Sequence, residues 1–88
     1  MSWGIVYTNS ASRDLNNLDE NTAKRIALKI KYYAAQNNPL NFAKKLNPPF
    51  DNLYRFRIGE YRAVFELGKD MLQILIILRI KHRKEVYE

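Results

Sequence analysis

The segment Tyr54–Leu67, YRFRIGEYRAVFEL, has the alternating pattern of a β-hairpin. Gly59-Glu60 separates its two halves, and a glycine at the first central position suits a tight type II′ turn. In the register that this turn imposes, one face is apolar and aromatic, and the other carries Arg55, Arg57 and Arg62. Arg57 and Arg62 lie directly opposite each other, although like charges in opposition destabilise a sheet. We therefore predict that the arginine face serves a purpose other than folding.

The composition limits the class of protein. The chain has 88 residues, of which 47% are hydrophobic, enough for one core and one domain, residues 1–88. The absence of cysteine excludes disulfides and thiol chemistry and indicates a cytoplasmic protein. The most apolar run, Ile74–Leu78, is far shorter than the roughly 20 residues of a membrane span. We expect no membrane association, and the net charge of +6 favours a polyanionic partner.

The remaining sequence predicts two helices ahead of the hairpin. Residues 3–8 form a first strand, and Asn9 or Ser10 caps a short helix that ends near Leu18. Asp19 caps a longer helix, which Asn37-Asn38-Pro39 ends. Residues 39–50 are predicted to be a loop with room for a short turn. With a last strand at residues 71–80, the order β-α-α-β-β-β predicts an α+β fold, its two N-terminal helices packed on one face of a mostly antiparallel sheet.

The last strand is apolar on both faces, which is typical of a buried central strand. If the core-facing side chains of the hairpin and of the last strand lie on the same side of the sheet, Phe65 pairs with Ile74 and Ala63 with Ile76. The predicted core positions of this strand are Leu72, Ile74, Ile76, Leu78 and Ile80. The predicted neighbours of the hairpin arginines are Leu75, Ile77, Arg79 and Lys81. Because arginine presents planar donors suited to phosphate, this face is predicted to bind anions; the alternative is a solvated face that discourages aggregation.

The C-terminal segment, RIKHRKEVY, is a second concentration of chemical groups. Lys81, His82 and Arg83 supply potential cations, and Tyr87 supplies a hydroxyl. His82 is the only histidine and carboxylates are sparse, which argues against a metal site, and no cofactor motif is present. The remaining groups can cleave RNA without metal. A base activates the 2′-hydroxyl, cations stabilise the phosphorane, and an acid protonates the 5′ leaving oxygen.

Over essentially its whole length, the sequence resembles the RelE/ParE superfamily of type II toxins. The resemblance rests on LNNLDENTAKRIALKI, LYRFRIGEYRAVFEL and ILRIKHRKEVY. It implies a compact α+β toxin neutralised by an acidic, RelB-like antitoxin in a hetero-oligomer. RelE-like members cut mRNA in the ribosomal A site, whereas ParE-like members inhibit DNA gyrase.

The resemblance also implies roles for individual residues. Arg62 matches the arginine that holds the scissile phosphate in RelE-like toxins, and Tyr87 matches a C-terminal tyrosine implicated in catalysis or base stacking. The implied phosphate-binding residues are Arg55 and Arg57, and Arg79 joins them through its predicted position on the same sheet face. A further catalytic cation corresponds to Lys81, His82 or Arg83, and the general base is Tyr87, His82 or Lys81. We expect a ribosome-dependent mRNA endonuclease. The alternatives are a gyrase inhibitor without nuclease activity and a toxin fold that binds antitoxin but has lost toxicity.

Overall fold

The computed structural model describes residues 2–50, 52–69 and 73–85. Its elements are, in chain order, β1 (Gly4–Tyr7), α1 (Asn9–Asn16), α2 (Glu20–Ala34), a 3-10 turn (Pro39–Phe42), β2 (Ala43–Lys45), β3 (Tyr54–Ile58), β4 (Tyr61–Leu67), β5 (Ile74–His82) and a second 3-10 turn (Arg83–Glu85). No helix in the described ranges is both long and apolar enough to cross a membrane.

The strands form one sheet in the order β1-β5-β4-β3-β2. β1 runs parallel to β5, and all other neighbours are antiparallel. Both helices contribute to a single core on one side of this sheet, Ala11 from α1 and Ile26 and Ile30 from α2. The predicted α+β fold, with two N-terminal helices on one face of a mostly antiparallel sheet, is confirmed.

The strand β2 corrects the prediction that residues 39–50 form a loop. Ala43 pairs with Phe56 and Lys45 with Tyr54 at the edge of the sheet. Two of its three residues are lysines, and charge at a sheet edge discourages pairing with other chains. A strand this short has no repeated alternation from which it can be predicted.

The two helices begin at capping side chains. Thr8 caps α1, ahead of the predicted candidates. Asp19 caps α2 as predicted, and its carboxylate accepts a hydrogen bond from the Thr22 N–H at 3.1 Å. α2 ends at Ala34, before the predicted stop that begins at Asn37. Local capping chemistry therefore accounts for where both helices start.

The hairpin of β3 and β4 has the predicted register throughout, including Arg57 opposite Arg62. Gly59 adopts a φ of 60°, which favours glycine in the connecting turn. On the helix side, Phe56 and Phe65 are fully buried and stack with ring centroids 4.4 Å apart. The strict alternation of the hairpin thus separates an aromatic core face from a charged face.

The register of β5 differs from the predicted one. Phe65 pairs with Ile77 instead of Ile74. The strand is displaced from the predicted pairing, and a β-bulge, which leaves Leu78 between two paired positions, also changes which of its side chains face the core. Leu75 and Ile77 are consequently fully buried in the core, and the prediction that they share the arginine face is wrong. A strand that is apolar on both faces specifies its register weakly, since either set of side chains can be buried.

Beyond the bulge, the face of each residue matches the prediction again. Ala63 pairs with Ile80 instead of Ile76, and Arg79 and Lys81 lie opposite Val64 and Arg62 on the charged face. Ile80 is buried as predicted, but Ile74, Ile76 and Leu78 are only half-buried and lie outside the buried core, so their predicted core positions are wrong. Leu72 lies outside the described residues.

Candidate functional site

The charged face of the sheet forms the floor of an open groove of about 610 Å³, which we call the cationic groove. The segment between β2 and β3 forms its wall, including Leu46, Phe50 and Leu53. The cations that line the groove are Lys44, Lys45, Arg55, Arg62, Arg79 and Lys81. Four of these six residues, Arg55, Arg62, Arg79 and Lys81, are predicted site residues.

Cross-strand pairing arranges the cations of the charged face, Arg57 included, in two rows. Arg57, Arg62 and Lys81 occupy directly paired positions on β3, β4 and β5. Neighbouring strands are about 4.8 Å apart, and like charges at that spacing destabilise the sheet. An anion bound above the row offsets this repulsion. The arrangement therefore suits a phosphate group.

The second row crosses all four strands from β2 to β5. Lys44 pairs with Arg55, Arg55 with Val64, and Val64 with Arg79. The two lysines of β2 were not among the predicted site residues, because β2 itself was not predicted. Their sequence signal is the Lys44-Lys45 pair immediately before the wall of the groove.

Arg62 is the half-buried centre of the first row. Its Nε–H is buried and has no hydrogen-bond partner within the described part of the chain. Buried donors are nearly always satisfied, so such an atom indicates a group that awaits a ligand or water. Arg57, its cross-strand partner, is exposed and does not line the cationic groove. Arg62 is therefore the better placed of the two arginines to hold an anion in the groove.

Arg79 binds the largely buried carboxylate of Asp14 in α1. The Arg79 Nε–H donates to Asp14 Oδ2 at 2.8 Å and its Nη2 donates to Oδ1 at 3.1 Å. The Ile80 N–H donates to the same Oδ2 at 2.8 Å. Burial opposes ionisation of Asp14, but the hydrogen bonds from Arg79 and Ile80 outweigh it and lower the pKa of Asp14. Arg79 thus fastens α1 to β5 while it lines the groove.

Replacing Asp14 by asparagine is expected to lower the free energy of unfolding at pH 7 by about 1–3 kcal/mol. Because the folded-state pKa of Asp14 lies below its usual value of 3.8, the ionised carboxylate stabilises the fold above that pH. The stabilisation is lost as the pH falls through the folded pKa. In urea denaturation between pH 3 and pH 7, the free energies of unfolding of the wild type and Asp14→Asn should converge as the pH falls toward 3.

The matched variant Asp14→Ala separates the two parts of this interaction. Alanine removes the acceptor for the Ile80 N–H as well as the charge that binds Arg79, so it is expected to cost more than asparagine at every pH. A difference between Asp14→Asn and wild type that stays constant from pH 3 to pH 7 would contradict the assigned ion pair.

His82 and Arg83 lie away from the cationic groove. His82 pairs with Tyr61, whose side chain packs against the core, and the two rings meet edge-on at 5.1 Å. The His82 Nδ1 accepts a hydrogen bond from the Lys84 N–H at 3.1 Å, and its Nε2 lies 3.5 Å from Glu60. Arg83 is also 3.5 Å from Glu60. The structure therefore does not bring these two predicted catalytic residues together with Arg62.

The end of the chain adds one residue that was not predicted and leaves one undescribed. Glu85 lines the groove, and its carboxylate accepts a hydrogen bond from the His82 N–H at 3.1 Å. This bond and the one from Lys84 to His82 form a reciprocal cap on the final 3-10 turn. Tyr87, the predicted catalytic tyrosine, lies outside the described residues. Of the two candidate general bases in the described residues, Lys81 is the one that pairs directly with Arg62.

Comparison with known proteins identifies the family. The ParE toxin family of type II toxin–antitoxin systems matches residues 5–87. Toxin RelE3 of Methanocaldococcus jannaschii is 30% identical over 86 residues, which cover 96% of this chain and 94% of the relative. The fold and the cationic groove thus belong to a small toxin, and the chain is a member of the RelE/ParE superfamily of type II toxin–antitoxin systems.

The solved structures that are similar to this one include two toxin–antitoxin complexes. The toxin–antitoxin complex RelBE2 of Mycobacterium tuberculosis contains a chain that is 24% identical, with a TM-score of 0.79 and coverage of 94% of this chain and 100% of that one. The RelB–RelE antitoxin–toxin complex of Methanococcus jannaschii contains a chain that is 28% identical, with a TM-score of 0.67 and coverage of 93% and 94%. Both are complexes of a toxin with its antitoxin.

Proposed function

We propose that this toxin is a ribosome-dependent mRNA endonuclease that cuts by metal-independent attack of the 2′-hydroxyl. The observation that carries the proposal is the position of Arg62. It stands between two cations of one cross-strand row, and its buried Nε–H has no partner among the described residues. A scissile phosphate that accepts this hydrogen bond satisfies the donor and offsets the repulsion along the row.

The proposed reaction needs one group that stabilises negative charge and others that transfer protons. The 2′-oxygen attacks the adjacent phosphorus, the bond to the 5′-oxygen breaks, and the products are a 2′,3′-cyclic phosphate and a 5′-hydroxyl. Arg62 stabilises the negative charge that develops on the phosphorane. Lys81 faces the same phosphate from the neighbouring strand. Its location favours Lys81 over His82 as the base or acid within the described chain, with Tyr87 as the further candidate.

We infer that the partner which neutralises the toxin is an acidic, RelB-like antitoxin in a hetero-oligomer. The structural relatives named above are complexes with RelB-type antitoxins, and the six cations of the cationic groove complement an acidic chain. The toxin itself would act in the cytoplasm, on translating ribosomes and the mRNA in their A site. An antitoxin bound over the groove would exclude that mRNA by occupying the same cations.

The alternative function is inhibition of DNA gyrase without cleavage, and the match to the ParE toxin family favours it. Induced expression in bacteria separates the two. We expect rapid arrest of translation together with cut transcripts, and we expect an Arg62→Ala control to lose both effects. Filamentation and DNA damage with intact transcripts would support the gyrase inhibitor. Unimpaired growth would contradict both functions and indicate a toxin fold that has lost toxicity.

A further inference from the structure

The wall of the cationic groove is a turn held by backbone hydrogen bonds. The Leu46 N–H donates to the Leu53 carbonyl at 3.0 Å and extends the pairing of β2 with β3. Within the turn, the Phe50 N–H donates to the Asn47 carbonyl at 2.9 Å, and the Leu53 N–H donates to the Phe50 carbonyl at 3.0 Å. The backbone of Phe50 is therefore fixed on both sides at the rim of the groove.

The ring of Phe50 is exposed although its backbone is held. The residue is 51% exposed and lines the same groove as Arg62. Phe42 is also exposed, but its ring stacks on Tyr33 at 5.1 Å. Phe50 makes no such ring contact with any aromatic residue in the described ranges. Contacts between aromatic rings in the described ranges thus give no reason for a large apolar ring at this position.

The combination of a flat apolar ring and a row of cations fits single-stranded nucleic acid. Proteins bind such strands by neutralising phosphates with Arg or Lys and stacking the bases on aromatic rings. The groove volume of about 610 Å³ lies within the range of pockets for small ligands, a class that includes a nucleotide. A protein helix would instead need several exposed apolar anchors at helical spacing. Leu46, Leu53 and Val64 also line the groove but are half-buried, and Phe50 is the large apolar side chain of the described lining that is exposed.

We propose that Phe50 is a base-stacking platform for the nucleotide next to the scissile phosphate. The base lies on the Phe50 ring while Arg62 and Lys81 hold the phosphate on the floor of the groove. This inference rests on the proposed function and adds a contact to it that neither charge nor proton transfer supplies. Stacking depends on the π-face that every base has, so Phe50 fixes the position of the nucleotide without selecting a particular base.

The test is binding of the purified full-length toxin to two fluorescein-labelled single-stranded RNAs, measured by anisotropy at low salt. One RNA carries a 2′-deoxynucleotide at its centre, which blocks cleavage, and the other also lacks the base next to that position. We expect Phe50→Ala to weaken binding of the first RNA about tenfold, or about 1.4 kcal/mol, without affecting the second. Phe50→Trp should retain the preference, and Arg62→Ala should weaken binding of both RNAs.

Leu28→Ala is the matched control, because Leu28 is 58% exposed on the outer side of α2, away from the groove. Equal losses on both RNAs, or no loss at all for Phe50→Ala, would overturn the stacking role while the Arg62→Ala result and the expression assay still decide the proposed function. A wild type that does not prefer the base-bearing RNA would overturn it too. If Phe50→Ala instead weakens only the antitoxin complex, the ring is a protein-docking residue and the inference is wrong.

Discussion

Replacing Arg62 by alanine is expected to slow cleavage of mRNA on programmed ribosomes about a hundredfold, or about 3 kcal/mol of lost transition-state stabilisation. Arg62 is the one predicted catalytic residue that is both half-buried and left with an unpartnered donor inside the described groove. The scissile phosphodiester already carries one negative charge, and further charge develops only as the 2′-oxygen attacks, so most of the loss should fall on the cleavage rate and ribosome binding should stay largely intact. Single-turnover kinetics separate these two quantities.

Arg57→Ala provides the matched control for this experiment. Arg57 carries the same charge in the same cross-strand row, but it is exposed and outside the cationic groove. We expect its loss to weaken binding in a salt-dependent manner and to change the single-turnover rate far less than Arg62→Ala. A substrate with a 2′-deoxynucleotide at the scissile position must not be cut. Cleavage of that substrate, or a full rate for Arg62→Ala, would contradict the proposed mechanism.

Replacing Phe65 by alanine is expected to remove about 3–5 kcal/mol of stability. Phe65 is fully buried and stacks on Phe56 from the neighbouring strand, so its removal leaves a cavity at the centre of the core. Small domains are stable by only about 5–15 kcal/mol, and the loss therefore takes a large part of the total. The measurement is the free energy of unfolding from urea denaturation followed by far-UV circular dichroism.

Phe50→Ala is the control for the stability experiment, because it makes the same chemical change at an exposed ring. We expect it to change the free energy of unfolding by less than about 0.5 kcal/mol. Similar losses for the two variants would mean that Phe50 is packed in solution, which would also contradict its assignment as an open platform. A loss below about 1 kcal/mol for Phe65→Ala would show that this pair is not the centre of the core.

The hairpin could be predicted pair by pair because its two faces differ in character. Apolar side chains alternate strictly with arginines, so only one register buries the aromatic face, and Arg57 is opposite Arg62 as predicted. The first part of β5 could not be predicted in the same way. Its isoleucines and leucines suit either face, and the choice of Leu75 and Ile77 for the core depends on the bulge and on pairing with β1.

Sequence patterns predicted the residues at the centre of the candidate site but not the residues at its rim. Residues on paired strands, such as Arg62 and Lys81, share a face that alternation alone identifies. The residues of β2 and the turn that carries Phe50 approach the groove through tertiary pairing, for which a three-residue strand gives little sequence signal. His82 was proposed as a base because of its chemistry, and the alternation of β5 turns it to the opposite face from Lys81.

The bulge in β5 allows one strand both to fill the core and to present cations to the groove. Before the bulge, odd-numbered side chains such as Leu75 and Ile77 fill the core; after it, odd-numbered Arg79 and Lys81 face the groove. The first half of the strand can therefore change among apolar residues without moving the cations, and the second half can change its charges without disturbing the core. A regular strand of the same length would place Arg79 and Lys81 on the same face as Leu75 and Ile77, toward the helices, so the bulge keeps both cations at the groove. Deleting Leu78, the extra residue, should restore regular pairing and leave Arg79 and Lys81 on the groove face.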